Sequence, residues 1–301
     1  MSDSTTSASW MDMADHLKTI DRKSQKLKNI LRSMGRVMVA FSGGVDSSLL
    51  LKIAKDVLQE NVIAVTALSE TTSAEERDTA IRLAKLFEVR HLMIESHDLD
   101  FPEFVKNFPD KCYVCKKNRF AALLELSRRE GMDYVIDGEN VDDQKDYRPG
   151  IRATRELGIR SPLSEAGLTK EEIRQLSKQL GLPVWDKPSA ACLASRIPYY
   201  QEITAEKLKQ VEDGEVFLRK QGFQLQIRVR HEGDTARIEL AQEEIPKMLE
   251  SDVRRRVLAF FNKLGFKHVA VDLKGYQMGS LNKSLPSSVK KPLPDSGRSD
   301  T

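Results

Sequence analysis

The chain has 301 residues, 40% of them hydrophobic and 31% charged, which excludes a single small module and allows one sizeable α/β core plus a smaller second domain. No apolar run approaches the roughly 20 residues of a membrane span, and a formal charge of +3 gives no argument for a nucleic-acid partner. The start, MSDSTTSASWMDMAD, lacks the basic and apolar regions of an export signal, so a cytoplasmic protein without membrane contacts is expected.

Residues 1–14 read as a disordered tail. Apolar residues at helical spacing (Leu17, Ile20, Leu27, Ile30, Leu31) predict a helix over Met13–Met34, stopped at Gly35. A strand over Val37–Phe41, a Gly-rich loop, a helix over Ser47–Leu58 and a strand over Val62–Ala67 follow. The alternation continues with a helix at Ala74–Phe87, a strand at His91–Ile94, a helix at Lys116–Arg129 and a strand at Tyr134–Asp137. Strands separated by helices predict a doubly wound parallel sheet, placed in a domain over 15–185.

Beyond Asp137 the chain turns loop-rich, and then Thr169 with Glu172 three residues on forms a capping-box pattern at the start of a helix reaching Leu180. Residues 186–203, with Pro188 and Pro198 and no clear period, read as an extended connection carrying Cys192. A smaller α+β domain is expected over 204–284: helix Ala205–Gln221, strand Phe223–Arg230, strand Thr235–Leu240, a broken helix Glu243–Leu264 and strand His268–Leu273. Residues 285–301 lack apolar periodicity and read as a second tail.

The most specific motif is Ser42-Gly43-Gly44-Val45-Asp46-Ser47-Ser48, between a strand and the following helix. Glycines let backbone approach an anion, a helix N-terminus offers free N–H groups and positive dipole, and the serines add hydroxyl donors. GxxxxGK[ST] is absent, so this is not the kinase-type loop. The string SGGVDSS resembles the signature of the PP-loop ATP-pyrophosphatase family, whose members cleave ATP between its α and β phosphates. That resemblance implies that Ser42–Ser48 hold pyrophosphate, that the backbone of Val65–Leu68, including Thr66 and Ala67, faces adenine, and that Asp46 with Asp142 or Asp143 lies near Mg²⁺. Ligands of such sheets sit beyond the strand carboxyl ends, which brings Gly138 and the loop after it into the same crevice.

Three cysteines, an odd number, argue against a disulfide framework. Cys112 and Cys115 precede the Lys116–Arg129 helix, and Cys192 lies in the connection, so the three meet only if that connection folds back over the crevice. Cys115 beside Lys116 and Lys117, and Cys192 four residues before Arg196, are both placed to be thiolates. A zinc site would need a fourth ligand such as His91 or His97; an iron–sulfur cluster with one open iron needs only the three thiolates. On the strand Gln224–Arg230, Leu225, Ile227 and Val229 share one face, leaving Arg228 and Arg230 on the other, where two guanidinium groups suit a phosphate.

The strings GENVDDQKDYRPG, GIRSPL, LTKEEIRQLSKQLGLPVWDKPSAACLASRIPY and GYQMGSLN resemble the LarE family over about Leu27–Asn282. LarE proteins are ATP-dependent sulfur transferases that make the nickel-pincer nucleotide cofactor needed for lactate racemase maturation. The resemblance implies adenylation and then thiolation of the carboxylates of a pyridinium biscarboxylate mononucleotide. It implies ATP and Mg²⁺ as cofactors, and sulfide or another sulfur donor as co-substrate. Cys192 aligns with the cysteine that one subgroup sacrifices, and Cys112, Cys115 and Cys192 together match a subgroup holding a 4Fe–4S cluster. Arg228, Arg230 and Arg196 are then expected at the substrate phosphate, with the C-terminal domain serving substrate binding and homo-oligomerisation. Tyr200, where the family often has glycine, and Gln277, where it often has arginine, depart from the pattern. Rival readings are another PP-loop activity, tRNA thiolation or amide-forming nucleotide synthesis, and a zinc-knuckle nucleotide-binding module.

Overall fold

The computed structural model describes residues 4–145, 149–188, 191–277 and 279–286. Parts of the expected tails (1–3 and 287–301), of the loop after Asp137 (146–148) and of the connection (189–190) lie outside the described residues. In chain order the elements are α1 (Ser4–Met34), β1 (Val37–Ala40), α2 (Val45–Leu58), β2 (Val62–Leu68), α3 (Ala74–Leu86), β3 (Arg90–Glu95), α4 (Pro102–Val105), α5 (Lys111–Arg129), β4 (Tyr134–Ile136), α6 (Gly150–Glu156), α7 (Pro162–Ala166), α8 (Lys170–Gln179), α9 (Ala205–Lys220), β5 (Ile227–Glu232), β6 (Thr235–Leu240), α10 (Ile245–Met248), α11 (Ser251–Lys263) and β7 (His268–Val271).

Two compact units divide the chain. The first comprises Met1–Leu68, Ala74–Ser96 and Lys116–Ser189; the second comprises Ser69–Ser73, His97–Cys115 and Ala190–Thr301. Two segments expected inside the 15–185 domain thus belong with the C-terminal part. The reason is apolar: Phe104 is buried, and Leu99, Val114 and Cys115 pack on the same cluster as Leu193, Ile197, Ile203 and Phe223.

In the first unit the strands run in the order β3-β2-β1-β4, all parallel. Alternation along β1 sends Val37 and Val39 to one face, where they meet Leu27, Leu31, Leu50, Leu163 and Ile173 from α1, α2, α7 and α8. Met38 takes the opposite face with Ile63 and Val65, covered by Phe120 and Leu123 of α5. Helices therefore lie on both faces, the doubly wound arrangement expected, and each fully buried aliphatic side chain contributes about 2 kcal/mol. At α8, Thr169 Oγ1 accepts from the Glu172 amide at 3.3 Å, and Glu172 Oε2 accepts from the Thr169 amide at 2.8 Å, completing the expected capping box.

Three expectations need correction. Helix α1 begins at Ser4, where a tail was expected. Helix α5 begins at Lys111, so Cys112 and Cys115 lie inside its first turns instead of before it. The stretch after Asp137, expected as loop, contains α6 and α7, which at seven and five residues are too short for a helical period to show.

The second unit carries β5-β6-β7, with β5 and β6 antiparallel and β6 and β7 parallel, against α9 and α11. Ile227 and Val229 pack into its core with Phe223 and Phe261.

Candidate active site

In the first unit, β1 ends at Ala40 and the chain turns through Phe41–Gly44 into α2. Gly43 takes φ +70°, and a Cβ there would sit 3.0 Å from the Ala80 backbone nitrogen, so a side chain is excluded twice over. No side chain caps Gly44, which leaves the first N–H groups of α2 without capping side chains. Ser42 and Ser47 hydroxyls lie 3.2 Å apart, and Ser47 Oγ donates to the Gly44 carbonyl at 3.2 Å. Gly138 comes so close to α2 that a Cβ would meet the Ser47 nitrogen at 2.9 Å. A pocket of about 280 Å³ opens here, its wall including Ser42, Gly44, Asp46, Ser47, Gly138 and Asp143.

The acids around it are arranged unequally. Asp46 pairs with Lys170 and accepts from Asn140 Nδ2 at 3.3 Å. Asn140 Oδ1 accepts from the amides of Asp142 (2.9 Å) and Asp143 (3.3 Å), a local turn that fixes the loop after β4. Asp142 directs its carboxylate to the Lys170 amide at 2.9 Å, whereas Asp143 lines the pocket. Asp137, Glu139 and Lys116 also line it. Burial, and next the charge of Asp137, push the Glu139 carboxyl up to about 7, against the opposing pull of Lys116.

Other residues expected at the site have side-chain contacts of their own. Ser48 is fully buried, its hydroxyl has no hydrogen-bond partner among the described residues, and it is not part of the pocket wall; Val45 is buried in the core. Thr66 donates to the Phe41 carbonyl at 2.7 Å and meets His91 Nε2 at 2.8 Å, so its hydroxyl braces the loop; Ala67 packs against the apolar layer on the α5 side of the sheet. Burial holds the His91 pKa down. Glu139 lies in the loop expected at the crevice, whereas Lys116, Asp137 and Lys170 were not expected there; the capping box marks where α8 starts, but nothing in it shows that Lys170 reaches Asp46.

All three cysteines belong to the second unit, and none is joined in a disulfide among the described residues. Cys192 ends its extended segment at a 3-10 turn, Leu193–Arg196, whose Leu193 amide donates to the Thr71 carbonyl at 3.0 Å. Cys115 Sγ lies 3.7 Å from the buried Asp98 carboxylate, which also accepts from Thr71 Oγ1 at 3.4 Å. As donors, three thiols from two segments of one unit suit a cluster. As arranged, no group of three His, Cys, Asp or Glu side chains among the described residues is set to hold a metal. His91, one suggested zinc ligand, is instead a Thr66 partner in the first unit.

The arginines differ from the exposed pair that strand alternation allows. Arg196, Arg228 and Arg230 are all nearly buried. Arg196 grips Glu215 with two bonds of 2.8 and 2.9 Å and also donates to the carbonyls of Ala191 and Cys192. Its guanidinium thereby holds the Cys192 turn. Arg230 pairs with Glu239 at 2.6 Å and reaches Ser195 O at 2.8 Å and Ser280 Oγ at 2.9 Å. Arg228 lies over the Tyr276 ring at 5.1 Å; burial, then Arg196, depress its pKa. Tyr200 has φ +68°, the left-handed region that explains why glycine suits this position.

Residues 16–155 match the PP-loop domain family. An uncharacterized protein of Synechocystis sp. is 42% identical over 266 residues, covering 88% of this chain and 99% of that protein. The pyridinium-3,5-bisthiocarboxylic acid mononucleotide synthase of Lactiplantibacillus plantarum is 38% identical, over 89% of this chain and 97% of the synthase. The chain belongs to the LarE family. It is accordingly an ATP-dependent sulfurtransferase of the PP-loop superfamily. The likeness to the tRNA-specific 2-thiouridylase of Desulforamulus reducens is weaker, 26% identity over 52% of this chain and 53% of that enzyme. No helix among the described residues of this LarE-family chain is long and apolar enough to cross a membrane.

Proposed function

We propose that the chain adenylates the carboxylates of a pyridinium biscarboxylate mononucleotide and converts them to thiocarboxylates, a step in making a nickel-pincer nucleotide. The observation that carries this reading is the serine-lined pocket at the uncapped start of α2 in a chain matching the L. plantarum synthase along nearly all its length.

In this reading the β and γ phosphates of ATP bind at Ser42, Gly44 and Ser47, where helix N–H groups and hydroxyls meet negative charge. A substrate carboxylate oxygen attacks the α-phosphorus, the bond from the α-phosphorus to the bridging oxygen breaks, and pyrophosphate leaves. Mg²⁺ commonly takes one or two carboxylates plus phosphate oxygens, and Asp46 and Asp143 are the residues that would hold it. The ion would offset the phosphate charge there. Lys170 keeps the Asp46 carboxylate oriented.

Sulfur then attacks the acyl carbon, the bond from that carbon to the AMP oxygen breaks, and AMP leaves. Cys112, Cys115 and Cys192 would hold the 4Fe–4S cluster, which when bound supplies an iron open to sulfide. The alternative within the family is that Cys192 gives its own sulfur. Arg228 and Arg230 are proposed at the substrate phosphate, with Arg196 acting on the Cys192 turn. A soluble cytoplasmic homo-oligomer is proposed for the working enzyme.

Two variants test the scheme. Asp46→Ala should lose pyrophosphate release, and Cys192→Ala should keep it while losing sulfur transfer; unimpaired release in the first, or full transfer in the second, sinks the corresponding step. Iron counting and a visible spectrum of anaerobically purified protein separate the cluster from zinc or bare thiols. The tRNA-thiolation reading is opposed by a net charge of only +3, and thiolation of a tRNA probe by the protein would restore it.

A further inference from the structure

Lys111, the first residue of α5, is 2% exposed. Its ammonium donates to Asn107 Oδ1 and to the Ala194 carbonyl (3.2 Å), and lies 4.8 Å from the centre of the Tyr199 ring. Among the described residues no carboxylate forms an ion pair with it. A buried ammonium without counter-charge is expensive, so such lysines are ordinarily paired. Cys112 is the next residue along α5, and the Ala194 carbonyl that the ammonium reaches lies in the turn that Cys192 opens.

The same contact closes a tether. Asn107 is fully buried at φ +57°, a conformation asparagine tolerates better than most residues. Its Nδ2 donates to the carbonyls of Pro198 (2.7 Å) and Gln201 (2.8 Å) and, at 3.3 Å, Ile197. Its own carbonyl accepts from the Tyr200 amide at 3.1 Å, and the Ile203 amide donates to Val105 O at 2.9 Å. The segment leading into the Cys112 helix is thus laced to the one that follows Cys192, with Lys111 reaching into the Cys192 turn itself.

We propose that Lys111 and Asn107 are positioning residues for sulfur transfer: Asn107 ties the Cys192 segment to the entry of α5, and the Lys111 ammonium is the fixed counter-charge for anionic sulfur at Cys192 and Cys112. The inference rests on the reading that Cys192 carries or delivers sulfur, and it applies equally to a cluster-bound or a cysteine-derived sulfur.

The test uses the full chain with Lys111→Met, Lys111→Gln, Lys111→Arg and Asn107→Ala. The probes are pyridinium-3,5-biscarboxylic acid mononucleotide, ATP, Mg²⁺ and sodium sulfide. Thiocarboxylate formation, pyrophosphate release, thermal melting and amide exchange over 193–201 are measured. The two neutral variants should slow thiocarboxylate formation by about tenfold or more with pyrophosphate release within about twofold of the parent, and Lys111→Arg should recover most of the loss. Asn107→Ala, which keeps the charge, should raise exchange at 197–201. Full-speed thiocarboxylate formation in Lys111→Met or Lys111→Gln overturns the counter-charge, as does an arginine variant that melts like the parent yet transfers sulfur no faster than Lys111→Met. Unchanged exchange in Asn107→Ala overturns the tether, and this arm stands even where a neutral lysine variant fails to fold. Failure of the underlying reading looks different: Cys192→Ala then still makes thiocarboxylate, whatever the Lys111 variants do.

Discussion

The two units gather charge of opposite sign. Around the pocket of the first, Asp46, Asp137, Glu139 and Asp143 outnumber Lys116 and Lys170, and burial, with the charge of Asp137 behind it, pushes the Glu139 carboxyl up to about 7. Around the cysteines of the second, Lys111 is buried with no ion-paired carboxylate among the described residues, Asp98 lies against Cys115, and of the buried arginines Arg196 pairs with Glu215 and Arg230 with Glu239 while Arg228 lies over Tyr276. In the proposed scheme each unit takes a ligand of the opposite sign: a cation travelling with nucleotide in the first, anionic sulfur or phosphate in the second. In the first unit the part-exposed Asp46–Lys170 pair stands at an open pocket wall that the buried Asp137 and Glu139 also line, whereas the second unit buries its arginines in contacts that also hold the backbone.

If that contrast is right, removing one charge from the second unit should damage folding. Arg196→Met leaves the Glu215 carboxylate buried with its bidentate partner gone and frees the Ala191 and Cys192 carbonyls. The expected loss in a urea titration is about 3–5 kcal/mol, toward the lower end because Arg228 is close enough to respond to Glu215. Replacing Glu215 by Leu in the same chain should return much of it. A loss within error of zero would show that these charges are not structural, and the contrast between the units would collapse.

The first unit should behave in the opposite sense. Glu139 keeps its proton in the folded chain up to about pH 7, while in the unfolded chain it releases it near the ordinary glutamate value. Between those two pH values the folded state binds more protons, so stability falls as pH rises, by about 3 kcal/mol over the window. Glu139→Gln removes the effect: little change at pH 4, and a stabilisation that grows to its full size by about pH 7–8. Melts of parent and variant at both ends of that range check it; parallel curves would mean that burial and Asp137 do not hold the Glu139 proton.

How much of this was legible beforehand follows from how local each feature is. The SGGVDSS loop, its strand and its helix occupy one continuous stretch, so glycine conformation and helix-end chemistry could be argued from the residues alone. The four parallel strands followed for the same reason, since hydrophobic period and strand–helix alternation are short-range signals. Residues 97–115 lie inside the stretch matched to the PP-loop family, yet they pack with the second unit because of where Phe104 and Val114 bury, and that carries no period. Arg228 and Arg230 were correctly placed on the strand face opposite Val229, yet alternation cannot say that Tyr276 and Ser280 cover that face. Lys111 and Asn107 escaped notice altogether. A lysine before a CxxC pair looks like a solvated charge until Ala194, more than eighty positions on, is found against it.

The smallest expected effect probes how far a local signal reaches into the pocket. Thr169 caps α8 through both halves of the capping box, and the next residue, Lys170, pairs with Asp46 by its side chain and with Asp142 by its amide. Removing the cap hydroxyl in Thr169→Ala should cost about 1 kcal/mol, while Thr169→Ser should cost little. Because the Asp46–Lys170 pair is partly exposed, loosening it should raise the KM for ATP only about twofold, with kcat unchanged. A stability loss without any change in KM would confine the cap to folding and leave Asp46 oriented by Asn140. A KM increase beyond tenfold would instead make the start of α8 part of the nucleotide site, and the open wall of the first unit would then depend on its helix framework as closely as the cysteine turn depends on Arg196.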